Sequence, residues 1–152
     1  MKKNLITIDL QVESSCGSVP DTIQFEHWVK QSIKAEYDAL EQTIRIVDEA
    51  ESQQLNKTYR GQDKPTNVLS FPAEDSSYLD YDHLGDLVIC APIVELEARQ
   101  QGKELMLHWA HMVVHGMLHL QGYDHIDDTE AEKMESLEIE IMTLLGHTNP
   151  YL

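Results

Sequence analysis

Residues 105–125 read LMLHWAHMVVHGMLHLQGYDH, and the reading of this stretch organises the rest of the chain. Leu105 to Gln121 is the most apolar helical run of the sequence, and Gly122 ends it with a backbone suited to sharp reversal. Histidines stand at 108, 111, 115, 119 and 125, so five of the eight in the chain fall within eighteen residues. On a helix His115 and His119 sit about 40° apart in rotation and about 6 Å apart along the axis, which lets two imidazoles converge on one ion. Beyond Gly122 the chain can return over the helix end and bring in His125 as a third donor, leaving a fourth position open. His111 also precedes His115 by four residues, but it lies about 12 Å along the axis from His119, whereas ligands of one zinc sit about 2 Å from it. The pairs 111/115 and 115/119 are therefore alternatives, and only the second has the glycine turn and His125 within reach. His111 is expected behind the ligands or lining a cleft, and His108 on the helix surface or in packing.

Outward from this central helix the chain alternates strand and helix signals. Ile6, Ile8, Leu10 and Val12 follow the period of two of a half-buried strand. Ser18 to Asp21 reads as a capping box before a helix carrying Phe25, Trp28, Val29 and Ile33. Thr43 to Val47 is a β-branched run, after which Asp48 and Glu51 open a polar helix that reaches Arg60 and stops at Gly61. Val68 to Phe71 predicts a strand closed by Pro72, residues 73–84 a polar acidic connection, and Asp86 to Cys90 a further strand. Pro92 suits the first turn of a helix running to Gly102. Thr129 to Glu132 resembles a capping box opening an acidic last helix, with Met134, Leu137, Ile141 and Leu144 or Leu145 on one face. The order β-α-β-α-β-β-α-α-α predicts an α+β fold, a small mixed sheet of about four strands packed with about five helices, the metal site lying at the end of the central helix. It leaves the strand order open.

With 152 residues the chain has the length of one domain, expected to span 1–152. Its 11 Lys plus Arg against 27 Asp plus Glu give a charge of −16, the opposite of the basic footprint left by a surface that grips nucleic acid everywhere. Any polyanion must be held locally. No apolar run is long enough to span a membrane, and the acids Asp9 and Glu13 interrupt any leader-like core at the start, which is read as mature sequence. Two cysteines without a CxxC pair fit a reducing, cytoplasmic setting.

The spacing of His115, His119 and His125, with Gly122 between, matches the zinc segment HExxHxxGxxH of metzincin peptidases. Gly116, however, stands where those peptidases carry their glutamate general base, which disfavours a peptidase. The full string from His115 to His125 closely resembles the signature HGxLHLxGYDH of the YbeY family, bacterial rRNA maturation factors regarded as single-strand endoribonucleases. The resemblance continues in Tyr59-Arg60-Gly61, in Asp63 to Pro72 and in Leu84-Gly85-Asp86, in family order. It implies an α+β fold, one zinc per chain on His115, His119 and His125, and Arg60 and His115 as catalytic residues. It also implies single-stranded rRNA as substrate, in 16S 3′-end maturation and ribosome quality control, and the small ribosomal subunit or its proteins as partners.

Chemistry makes the Arg60 assignment reasonable, since guanidinium is planar, always charged and able to clamp a phosphate through two parallel hydrogen bonds. Between Leu55 and Pro72 the residues Lys57, Arg60 and Lys64 against Asp63 make a net +2, a candidate basic lip. Thr66, Asn67 and Ser70 are available to RNA but equally suited to forming a turn. From Asp124 to Glu140 eight acids face one lysine, Lys133, which reads as a solvated helix face. Asp124 is either an outer partner that orients a ligand or a turn residue, and it joins His111 as a candidate general base. The expected reaction is metal-assisted cleavage of an RNA phosphodiester, with the attacking group either water or the RNA 2′-hydroxyl. Two rival readings are an assembly factor with a structural zinc and an atypical metallohydrolase of another ester or peptide.

Overall fold

The computed structural model describes residues 5–34, 37–73, 82–124 and 126–151. Four strands, β1 (Leu5–Glu13), β2 (Ala39–Val47), β3 (Val68–Pro72) and β4 (Asp82–Cys90), form one sheet in the order β1-β2-β4-β3. β1 with β2 and β2 with β4 run parallel, whereas β3 lies antiparallel to β4 at the sheet edge. The helices are α1 (Thr22–Ser32), α2 (Glu49–Arg60), α3 (Ala91–Gln101), α4 (Leu105–Leu120) and α5 (Asp128–Leu144). The α+β architecture and its mixed sheet are those expected from the element order.

The apolar residues of each element explain the layering. Ile44 and Ile46 of β2, Leu87 and Ile89 of β4, Phe25 and Val29 of α1, and Trp109, Val113 and Met117 of α4 form one fully buried core, which Met134, Ile141 and Met142 of α5 extend. A smaller cluster of Val47, Leu69, Val88 and Cys90 lies with Leu55 of α2. Residues one apart along β3 and β4 thus feed different clusters, as the pleat requires. Eleven of the sixteen residues of α4 are buried, His108 and His111 among them, so this helix is enclosed nearly all round.

Helix starts differ from the sequence reading in two places. α1 is capped by Asp21, not Ser18. Its carboxylate accepts from Gln24 N at 2.9 Å while Gln24 Oε1 accepts from Asp21 N at 3.0 Å, so the box is satisfied reciprocally three residues downstream. α5 is capped by Asp127, whose Oδ1 accepts from Glu130 N at 2.8 Å, ahead of the expected Thr129. Asp48 does stand at the cap of α2, but its carboxylate is bonded by Ser14 Oγ and Ser15 at the end of β1. On the outer edge Val12 is 47% exposed, and at the end of α5 Leu144 is 66% exposed while Leu145 packs inward. β2 and β4 also begin four residues earlier than their apolar cores suggest, because pairing in the sheet recruits mixed polar and apolar residues, Ala39 to Gln42 and Asp82 to Gly85, whose sequence alone shows no strand period. Most of the expected 73–84 connection lies outside the described residues. Cys16 and Cys90 are both free, and among the described residues no helix is long and apolar enough to cross a membrane.

Candidate metal centre and cleft

α4 delivers the histidines. Its last turn ends in a Schellman motif, with Gly122 N donating to His119 O at 3.0 Å and Tyr123 N to Leu118 O at 3.1 Å. Gly122 occupies φ +99°, a region an L side chain resists, and this turns the chain back across the helix end. Gln121 pins that end to α1: its Nε2 donates to Ser32 O at 2.7 Å and its Oε1 accepts from Lys34 N at 2.8 Å.

The structure brings His115 Nε2 to 3.1 Å from His119 Nε2. Two nitrogens each about 2.0–2.1 Å from a tetrahedral zinc stand roughly 3.3 Å apart, so the pair is spaced as two ligands of one ion would be. The third expected donor, His125, lies outside the described residues. The other nitrogen of His115, Nδ1, is 3.1 Å from Glu138 Oε1. His119 Nδ1 has Asp124 Oδ1 at 4.0 Å, so Asp124 stands behind that ligand as well as on the cleft wall.

His111, His115 and Glu138 also place one donor atom each within 4.8 Å of one another, a second grouping able to hold a metal. Here His111 Nε2 and Glu138 Oε2 are only 2.5 Å apart. That is hydrogen-bond contact, too close for two ligands of a common tetrahedral ion. Chemistry therefore favours the 115/119 pair for the ion and a hydrogen-bonding role for Glu138.

Glu138 is the residue that sequence reasoning missed. It is fully buried, although the acidic run 124–140 reads as a solvated face. It accepts from His111, from His115 and, at 2.7 Å, from the Tyr151 hydroxyl. Burial alone pushes its carboxyl up, but the hydrogen bonds from His111 and His115 outweigh this and hold it far below the usual carboxylate range. Burial, opposed by Glu138, lowers the pKa of His111, and burial with the bond to Glu138 raises that of Tyr151. A signal was present: Glu138 lies four residues after Met134 and three before Ile141, on the apolar stripe of α5.

A cleft of about 610 Å³ opens between β3 and the end of α4, lined by Arg60, Asn67, Ser70, His115, His119 and Asp124 among others. Arg60 reaches it from the end of α2. One guanidinium nitrogen donates to Ser70 O at 2.6 Å, and the group lies 5.7 Å from the Phe71 ring centre. The main-chain carbonyl of the edge strand thus aims the charge. Arg60 is the one Lys or Arg lining the cleft among the described residues; Lys57, 3.8 Å from Asp63, and Lys64 are not part of the lining, so only one cation of the expected basic lip faces it.

The other sequence candidates are largely committed within the fold. Ser70 Oγ donates to Gly116 O at 3.1 Å, and Asn67 Nδ2 bonds the Glu97 carboxylate at 3.2 Å. Glu97 in turn meets the buried His108 at 2.9 Å, which makes His108 an internal strut and not a surface residue. His111 is buried behind His115 and is absent from the cleft wall, so as a candidate base it gives way to Asp124. A Cβ on Gly116 would stand 2.7 Å from Leu87 Cδ2. The position at which metzincins carry glutamate therefore faces the sheet here, and a side chain there would have to displace Leu87.

Two comparisons bear on this arrangement. The family model described as Endoribonuclease YbeY matches residues 11–146. The chain is also similar to the solution structure of TM1509 from Thermotoga maritima, with 29% identity, a TM-score of 0.56 and 92% of each chain covered.

Proposed function

This chain belongs to the YbeY family of endoribonucleases, and on that premise we propose that it cuts single-stranded rRNA with a zinc ion held by His115, His119 and His125 and with Arg60 at the scissile phosphate. The observation that carries the reading is the shared cleft: the two facing Nε2 atoms of His115 and His119 and the guanidinium of Arg60 line one cavity. A bound zinc would supply Lewis acidity at a phosphoryl oxygen and make water more acidic.

The chain's own groups do the remaining work. Arg60 holds the phosphate in place and stabilises the charge that grows on its oxygens as the bond breaks. Asp124, on the cleft wall, is the candidate to accept a proton from the attacking hydroxyl. Whether that hydroxyl belongs to water or to the RNA 2′ position is read from the product, since a 2′,3′-cyclic phosphate demands internal attack.

With Arg60 the one Lys or Arg lining the cleft among the described residues, in a chain of charge −16, a substrate presented by a partner is favoured over one gripped unaided. From its membership of the YbeY family we further propose that the activity lies in the cytoplasm on the small ribosomal subunit, in 3′-end maturation of 16S rRNA and in quality control. The test is cleavage of a structured rRNA fragment by protein of known metal content, beside Arg60→Ala and His115→Ala, mapped to the nucleotide. Cutting by the wild type, lost in a folded, zinc-loaded Arg60→Ala, is the expected result. Equal cutting by all three preparations would mark a contaminant and leave an assembly factor with a structural zinc as the better account.

A further inference from the structure

We propose that Glu138 is the positioning residue of the metal centre, a buried carboxylate that fixes the tautomer and ring orientation of His115 so that Nε2 presents its lone pair to the cleft. The proposal rests on His115 and His119 being the metal ligands.

An ionised carboxylate can only accept, so the 3.1 Å contact with Glu138 Oε1 requires the proton of a neutral His115 ring to sit on Nδ1. Nε2 is then unprotonated, and it is this atom that faces His119 Nε2. Without the acceptor a neutral imidazole distributes its proton between both nitrogens, and the form protonated on Nε2 cannot bind a metal there.

The structure holds Glu138 itself from several sides. His111 Nε2 and the Tyr151 hydroxyl both donate to Oε2, at 2.5 and 2.7 Å, which leaves Oε1 directed at His115. The Tyr151 ring stands edge-on to His111 with centroids 5.3 Å apart. The neighbouring Pro150 carbonyl accepts a hydrogen bond from Lys103, so the turn carrying Tyr151 is tied down independently of Glu138. Three elements, α4, α5 and the segment after α5, therefore converge on one carboxylate, more than the packing of α5 alone requires. An apolar residue would fill the same stripe between Met134 and Ile141 without burying a charge.

Two measurements test this. In the metal-free wild type, long-range nitrogen–proton correlation spectra in mildly alkaline buffer are expected to show His115 with its proton on Nδ1; a proton on Nε2, or an even mixture, would overturn the proposal with no variant needed. Competition for zinc against a chromogenic chelator is then run on the wild type, Glu138→Gln, Tyr151→Phe and His115→Ala. Glu138→Gln is expected to weaken zinc binding about 10–100-fold. Tyr151→Phe leaves the acceptor of His115 in place and is expected to keep the Nδ1 proton and lose much less affinity. Equal losses from Glu138→Gln and Tyr151→Phe would show general loosening of the network and overturn the positioning role, as would unchanged affinity in Glu138→Gln. If His115→Ala also binds zinc like the wild type, the fault lies in the ligand assignment; if His115→Ala loses zinc while Glu138→Gln does not, it lies in the role of Glu138.

Discussion

Replacing Gly122 isolates the backbone contribution to the metal centre. Among the described residues a Cβ built there meets nothing within 4 Å, so the substitution creates no clash with them and removes no contact to them. What it adds is strain, because φ at this residue is +99°. Holding a non-glycine residue in such a region costs about 1–3 kcal/mol. Alanine returns about 0.4–1 kcal/mol by restricting the unfolded chain, so with mid-range values of about 2 and about 0.7 kcal/mol Gly122→Ala should lose about 1–2 kcal/mol net. For a chain of this size that is a fall of about 2–8 °C in Tm. Asparagine tolerates positive φ better than alanine, and a β-branched residue tolerates it worse, so stability should fall in the order Gly, Asn, Ala, Val. Urea unfolding of the four proteins measures this directly, with the midpoint moving and the slope unchanged. Zinc affinity should fall in the same order, because the strained turn directly follows the helix that carries His115 and His119. An alanine variant as stable as glycine to within about 0.5 kcal/mol, or valine no worse than asparagine, would refute the argument that conformation is what this position supplies.

Other substitutions probe the elements around the cleft. Gln121→Ala removes the two bonds, to Ser32 O and from Lys34 N, that clip the end of α4 to the end of α1, and at about 0.5–1.5 kcal/mol each it should cost about 2 kcal/mol in chemical denaturation, with a variant of wild-type stability counting against the clip. Gly116→Ala sets about 1–3 kcal/mol of overpacking on Leu87 against about 1 kcal/mol of gained helix propensity, and a double-mutant cycle with Leu87→Ala should show favourable coupling of at least about 0.5 kcal/mol; additive effects would mean the 2.7 Å approach is relieved elsewhere. The hydrogen bond from His108 holds the Glu97 carboxyl below its ordinary value of 4.5, with burial opposing it and Asn67 adding to it. A depressed folded-state pKa gives stability that is complete above that value and is lost as the pH falls through the folded one, so wild type and Glu97→Gln should differ most near neutrality and converge on acidification. A constant gap from pH 7 down to acid unfolding would remove Glu97 from the acid response.

The amino-acid sequence by itself determined the elements and their chemistry where the information is local. A period of two makes Ile6, Ile8 and Leu10 one face of a strand, and a spacing of four puts His115 and His119 on one face of a helix, whatever surrounds them. Motif order from Tyr59 to Asp124 was legible for the same reason, since residue types and intervals need no partner to be read. Tertiary structure alone decided what depends on distant segments meeting. The antiparallel placement of β3 at the sheet edge, beside β4 and next to α4, opens the cleft and lets a carbonyl of Ser70 receive Arg60. Glu138 shows the limit most clearly. Within its own helix it is one more acid in an acidic run, and only the arrival of His111 and His115 from α4 and of Tyr151 from beyond α5 turns it into a buried acceptor. A charge is buried only where donors outweigh its lost hydration, and those donors lie 13 to 27 residues away along the chain, beyond the reach of any local period.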